Sequence, residues 1–130
     1  MADEKDCLSK YDASWSGALL EKKKWTEKKE GLEELLNDVT TPKIKPGDCS
    51  HIVTTLMKLL TDSNINVSHL SVKCVKSLCE GLREQFAEGA NALCPKVLLK
   101  FKEKRPQILE DTKLATQAIL KCMDSKSSNL

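Results

Sequence analysis

Two histidines, six cysteines and several adjacent carboxylates are the side chains of this chain that could do metal, nucleophilic or acid–base chemistry. Their spacing supports none of the three. His51 and His69 fall on different predicted helices with no cysteine at ligand spacing, so a metal centre is not expected. Cys94 precedes Pro95 at a predicted helix start, where the helix dipole favours a thiolate, yet no histidine stands at a recognisable activating spacing. Cys74, Cys79, Cys94 and Cys122 lie within apolar-periodic segments, and there is no Cys-x-x-Cys pair. They read as small core residues of a protein kept in a reducing compartment. Glu33-Glu34 and Glu110-Asp111 read as solvated helix faces, because nothing in the pattern supplies a cleft to desolvate one carboxyl of a pair. Five glycines argue against phosphate-cradling loops. The expectation is therefore no enzyme, no cofactor and no metal, which leaves recognition.

Trp25 is the residue best placed for recognition. It stands in the run Glu21-Lys22-Lys23-Lys24-Trp25-Thr26-Glu27, at the junction of an apolar stretch and a charge-laced helical one. An indole there either folds back as a wedge between two helices or faces outward as an anchor for a partner that desolvates it. Periodicity alone leaves these two fates even. Lys102, Lys104 and Arg105 form a second basic run, which by itself reads as an ordinary solvated turn. Asn64, in Asp62-Ser63-Asn64-Ile65-Asn66, is most simply a helix cap, and a cap can also be a contact.

Charge and composition narrow the partners. Lys and Arg total 21 against 19 Asp and Glu, a formal net charge of +2. That balance argues against a nucleic-acid binder that would neutralise many phosphates. The first residues, Met1-Ala2-Asp3-Glu4-Lys5-Asp6, are charged, and no apolar run approaches membrane-spanning length. A cytosolic protein without a membrane partner is expected.

The elements that must position these residues are helical throughout. Ile52, Val53, Leu56, Met57, Leu59 and Leu60 follow the i, i+3, i+4, i+7 rule, as do Leu70, Cys74, Val75, Leu78, Leu82 and Phe86. Leu93, Val97, Leu98 and Phe101 mark a further helix; Ile108, Leu109, Ala115, Ala118, Ile119 and Cys122 mark its partner, with Pro106 in the first turn. The predicted helices are about 12–22, 26–38, 48–61, 66–87, 91–102 and 106–123. They pair into hairpins 12–38, 48–87 and 91–123 within one domain, 8–123. Residues 1–7 and 124–130 lack periodicity and are expected to fray.

An offset of about 41 residues superimposes the second and third hairpins. Val67 falls on Ile108, Leu60 on Phe101, Met57 on Leu98, Leu56 on Val97, Cys74 on Ala115 and Leu78 on Ile119. The match back to Leu20, Leu32, Leu35 and Leu36 is looser, as terminal repeats are. An all-α HEAT-repeat solenoid of three hairpins is thus expected. Stacking puts all turns inside repeats on one edge, so Trp25, Asn64-Ile65 and Lys104-Arg105 should share a ridge. On the last helix Lys113, Thr116, Gln117 and Lys121 make one face polar, whereas Leu109, Leu114, Leu120 and Met123 leave an apolar surface for self-association.

Three stretches carry a family resemblance: Leu20 to Glu33 around Trp25, Leu98 to Gln107, and Asp62-Ser63-Asn64 followed by an apolar residue. The chain from about Leu8 to Leu120 resembles a TOG domain, the tubulin-binding HEAT array of microtubule polymerases, and is most similar to the second TOG domain of that family. The resemblance implies an exposed Trp in the first turn, a small or aliphatic contact in the second and basic residues in the third. Those roles fall on Trp25 beside Lys24, on Asn64 with Ile65, and on Lys102, Lys104 and Arg105. It also implies tubulin or microtubules as partner, a place in the cytoplasm on the cytoskeleton, and a role in regulating microtubule assembly. A complete TOG domain has about six repeats and this chain has length for three, so it corresponds to the N-terminal half. The alternative is a HEAT-type scaffold that takes a peptide or protein partner on a concave face without tubulin affinity.

Overall fold

Helix formation follows the apolar stripes, with caps setting the starts. The computed structural model describes residues 8, 11–40, 44, 49–62, 64–102 and 104–127. Among the described residues six α-helices run in order: α1 Ala13–Leu20, α2 Trp25–Val39, α3 Ser50–Leu59, α4 Ile65–Leu82, α5 Ala87–Leu98 and α6 Pro106–Ser127. The Asp12 carboxylate caps α1 by accepting from the Trp15 N–H at 3.1 Å, and Asn64 caps α4 by accepting from the Asn66 N–H at 2.9 Å. Residues 124–127, expected in a frayed tail, belong to α6; residues 1–7 and 128–130 lie outside the described residues. No described helix is long and apolar enough to cross a membrane.

The helices form two layers. First helices α1, α3 and α5 pack side by side, and α4 packs between α2 and α6 in the other layer. The hydrogen bonds across each layer show the repeat directly. The Ser16 and Thr55 hydroxyls meet at a separation of 39 residues. In the second layer, the Cys74 thiol donates to the Leu32 carbonyl, 42 residues away. His69 pairs with Asp111 at a separation of 42, and the Cys122 thiol donates to the Cys79 carbonyl at a separation of 43. Contacts one period apart near both ends of α4 mean that α4 and α6 run parallel in register. This is the HEAT-type solenoid expected from the sequence.

The core lies between the layers, built from Leu32, Leu35, Leu56, Val67, Val75, Leu78, Leu93, Val97 and Ile119, all buried. Repeat equivalence survives in burial for Leu56 and Val97, Val67 and Ile108, Cys74 and Ala115, and Leu78 and Ile119. It fails just past the end of α5, where Phe101 is 41% exposed although its equivalent Leu60 is fully buried. A third hairpin covers the second, whereas no described element covers that face of the third.

The join between the second and third hairpins departs from expectation. α4 ends at Leu82, the chain passes through a 3₁₀ turn at Arg83–Phe86, and α5 begins at Ala87. Residues 88–90, which fall between the predicted helices 66–87 and 91–102, are therefore helical. Gly89 is there for packing: a Cβ would stand 2.8 Å from the buried Phe86 ring and 3.0 Å from Val53. Pro95 sits inside α5, not at its start, so Cys94 gains no helix N-terminus; it is half-buried at the edge of the core. Proline removes a helical N–H, and α5 gives way to a 3₁₀ turn at Leu99–Lys102. Tyr11 and Ile44, which periodicity did not mark, are buried. The Tyr11 hydroxyl bonds to the Asp38 carboxylate, and the Ile44 N–H donates to the Gly81 carbonyl at 3.1 Å.

Candidate protein-binding edge

Because α2, α4 and α6 share one layer and direction, their N-termini emerge on one edge, each just after a turn inside a repeat. Trp25 is the first residue of α2 and is 41% exposed. It is not a loop residue, as the sequence suggested, and not a wedge between helices. Lys24 occupies the N-cap through its backbone, with no side-chain cap bond, and is exposed along with Lys22 and Lys23.

The second turn is organised by Asp62. Its carboxylate accepts from the Lys28 ammonium at 3.0 Å and from the Asn64 N–H at 2.8 Å. Lys28 and Asp62 retain only 20% and 14% side-chain exposure, so partial desolvation strengthens this tie between α2 and the turn. Neither residue was a sequence candidate. Asn64 acts as the cap of α4, as its simplest reading held. Ile65, the first residue of α4, is half-buried.

The third turn presents Lys102, Lys104 and Arg105, all exposed. Arg105 begins α6 by accepting the Leu109 N–H at 3.1 Å on its carbonyl. Arg105 and Ile65 line one open groove of about 510 Å³, with Asn66, His69 and Gln107. Second and third turns are thus brought together, with the His69–Asp111 pair tying α4 to α6 beside them. That pair spans one repeat period, which is the only sequence signal that could have found it.

Electrostatics follows from geometry. Three positive helix ends and the exposed lysines and arginine share the edge, a field suited to an anionic protein surface. Inside the array, burial pushes the Cys74 thiol up, and hydrogen bonding with Cys122, then burial, does the same for Cys79. These thiols are held protonated and are poor nucleophiles. Among the described residues, no three His, Cys, Asp or Glu side chains gather to hold a metal ion.

No family model matches the chain. Curated relatives do. "Protein MOR1" of Oryza sativa subsp. japonica is 36% identical over 123 residues, 93% of this chain and 6% of the relative. "Protein mini spindles" of Drosophila melanogaster is 38% identical over 121 residues, 92% of this chain and 6% of the relative. A solved chain from work on the structural basis of microtubule plus end tracking by XMAP215, CLIP-170 and EB1 superimposes with a TM-score of 0.83 at 35% identity, covering 97% of this chain. The chain is a TOG-like HEAT array. The TOG-like array spans 54% of that solved chain and about 6% of the first two relatives, in keeping with three repeats.

Proposed function

We propose that this TOG-like array is a non-catalytic, cytoplasmic, cytoskeletal module that binds tubulin through the turn edge and thereby regulates microtubule assembly. The observation that carries the reading is Trp25, exposed at the start of α2 on the edge that also bears Ile65 and Arg105. The indole acts as the anchor, Ile65 and Asn64 add the second contact, and Lys24, Lys102, Lys104 and Arg105 steer and pair at the rim. Cofactors, nucleic acid and membranes have no part in this reading.

Soluble tubulin should co-elute with the parent array and be lost with Trp25→Ala. Unchanged binding by that variant would sink the reading. The rival scaffold without tubulin affinity predicts that Lys104→Glu with Arg105→Glu leaves partner binding intact, whereas the edge reading predicts a loss that is largest at low salt and narrows as added salt screens the charges.

Self-association through the last repeat is part of the same proposal, because Leu98, Leu99 and Leu120 are 46%, 46% and 51% exposed. A second array would add a second edge and raise avidity. Sedimentation equilibrium should show an association that Leu120→Glu abolishes; a concentration-independent monomer mass for the parent would remove it.

A further inference from the structure

A second docking surface lies between α4 and α6, well away from the turn edge. Its centre, at Cys79, is about 20 Å along α4 from Ile65 at the helical rise per residue. An open groove of about 440 Å³ separates the two helices there. Cys79, Ala118 and Cys122 form its floor, almost fully buried, and Leu114, 36% exposed, forms one wall. The protonated thiols make that floor apolar in character. Among the described residues the rim is basic: Lys76, Arg83 and Lys121 line it against Glu80. Glu80, itself exposed, is paired with Lys76 at 3.1 Å, and Arg83 and Lys121 add two exposed positive charges at the opening.

Arg83 adds an independent observation. Among the described residues it is the one non-glycine with positive φ, at φ 54 and ψ −131. Glycine adopts that backbone without strain and arginine does not. The chain nevertheless places a long cation at the groove mouth, where the 3₁₀ turn leaves α4.

We propose that this groove binds a short acidic peptide segment, an aliphatic side chain seated on the Cys79–Ala118–Cys122 floor against Leu114 and flanking carboxylates paired with Arg83 and Lys121. Charge complementarity selects the occupant: a basic segment meets like charge at the rim, and a polar anionic one leaves the floor unfilled. The site is independent of the tubulin reading, and edge and groove can be occupied together.

The experiment is fluorescence polarisation with the labelled peptide Glu-Leu-Glu-Glu-Leu-Glu and the whole chain. Saturable binding is expected, with the serine analogue Glu-Ser-Glu-Glu-Ser-Glu and the lysine analogue Lys-Leu-Lys-Lys-Leu-Lys far weaker. Arg83→Glu with Lys121→Glu should lower affinity about tenfold. Leu114→Ala, which leaves charge unchanged, should lower it several-fold. Trp25→Ala should not change it, which separates failure here from failure of the tubulin reading. Circular dichroism melts confirm that each variant is folded. Absence of saturable binding by the parent, equal affinity for the serine analogue, or unchanged affinity of both groove variants would overturn the proposal.

Discussion

Trp15 and Trp25 belong to one hairpin and meet opposite environments. Trp15 lies within α1, half-buried against the core, with its ring edge-on to Tyr11 at a centroid distance of 4.8 Å and an interplanar angle of 79°. Trp25 opens α2 among lysines and keeps 41% of its surface. Both are indoles in the first turn of a helix, so side-chain hydrophobicity does not separate them. Position in the hairpin does: at the third residue of α1 the indole turns onto the core beside Tyr11, whereas at the first residue of α2, just after a turn, it stays exposed. The contrast teaches that this array covers an indole where a core face lies opposite it and leaves one open to solvent where a helix has just emerged from a turn.

The comparison breaks most visibly on exchange of effects. Trp25→Ala should weaken tubulin binding by about 2–4 kcal/mol and move the urea midpoint little. Trp15→Ala should destabilise the fold by about 3 kcal/mol while the folded fraction still binds. If Trp25→Ala instead destabilises as much as Trp15→Ala, both tryptophans are structural and the contrast is lost.

The buried side sharpens with Gly89→Val. The close approach of Phe86 and Val53 should make this substitution cost about 2 kcal/mol by overpacking, measured by chemical denaturation. A neutral result would mean that α5 can shift away from α3.

Alkaline stability tests the buried thiols. Unfolded cysteines ionise near pH 8.5. In the folded array Cys74 resists ionisation through burial and Cys79 through hydrogen bonding with Cys122 and burial. The unfolded state therefore releases protons first, so this stability is complete below about pH 8.5 and falls as pH rises, by up to about 1.4 kcal/mol per thiol and pH unit. Denaturation midpoints flat from pH 8 to 10, once Cys74→Ala and Cys79→Ala are used as references, would contradict it.

The smallest effect is expected at Asn64. Losing the cap by Asn64→Ala should cost about 1 kcal/mol of stability. Tubulin affinity that falls further than the unfolded fraction explains would make Asn64 a contact as well as a cap.

Much of this was legible because second-helix positions repeat with fixed spacing. Val67 with Ile108, and Leu78 with Ile119, are buried in pairs as the offset required. Local signals mislead where tertiary packing overrides them. Glu88-Gly89-Ala90-Asn91 carries linker composition, yet helix α5 begins before it because Gly89 admits Phe86 and Val53. Pro95 carries a helix-start signal, yet it sits exposed inside α5 between the buried Leu93 and Val97. Lys28 and Asp62 were invisible as a pair, since an ion pair 34 residues apart has no local pattern.

What the residues determined unaided was periodic: the all-helical class, the three hairpins, the stacking period and the edge on which Trp25, Ile65 and Arg105 emerge. These follow from side-chain direction along a helix, which depends only on spacing. Tertiary structure alone decided which members of a pattern are covered. It exposed Trp25 and buried most of Trp15, set Ile65 and Arg105 in one groove, and brought Cys79 beside Cys122 under a basic rim. The physical reason is that burial and desolvation are properties of what lies opposite a residue, and no spacing rule specifies the partner across a helix interface.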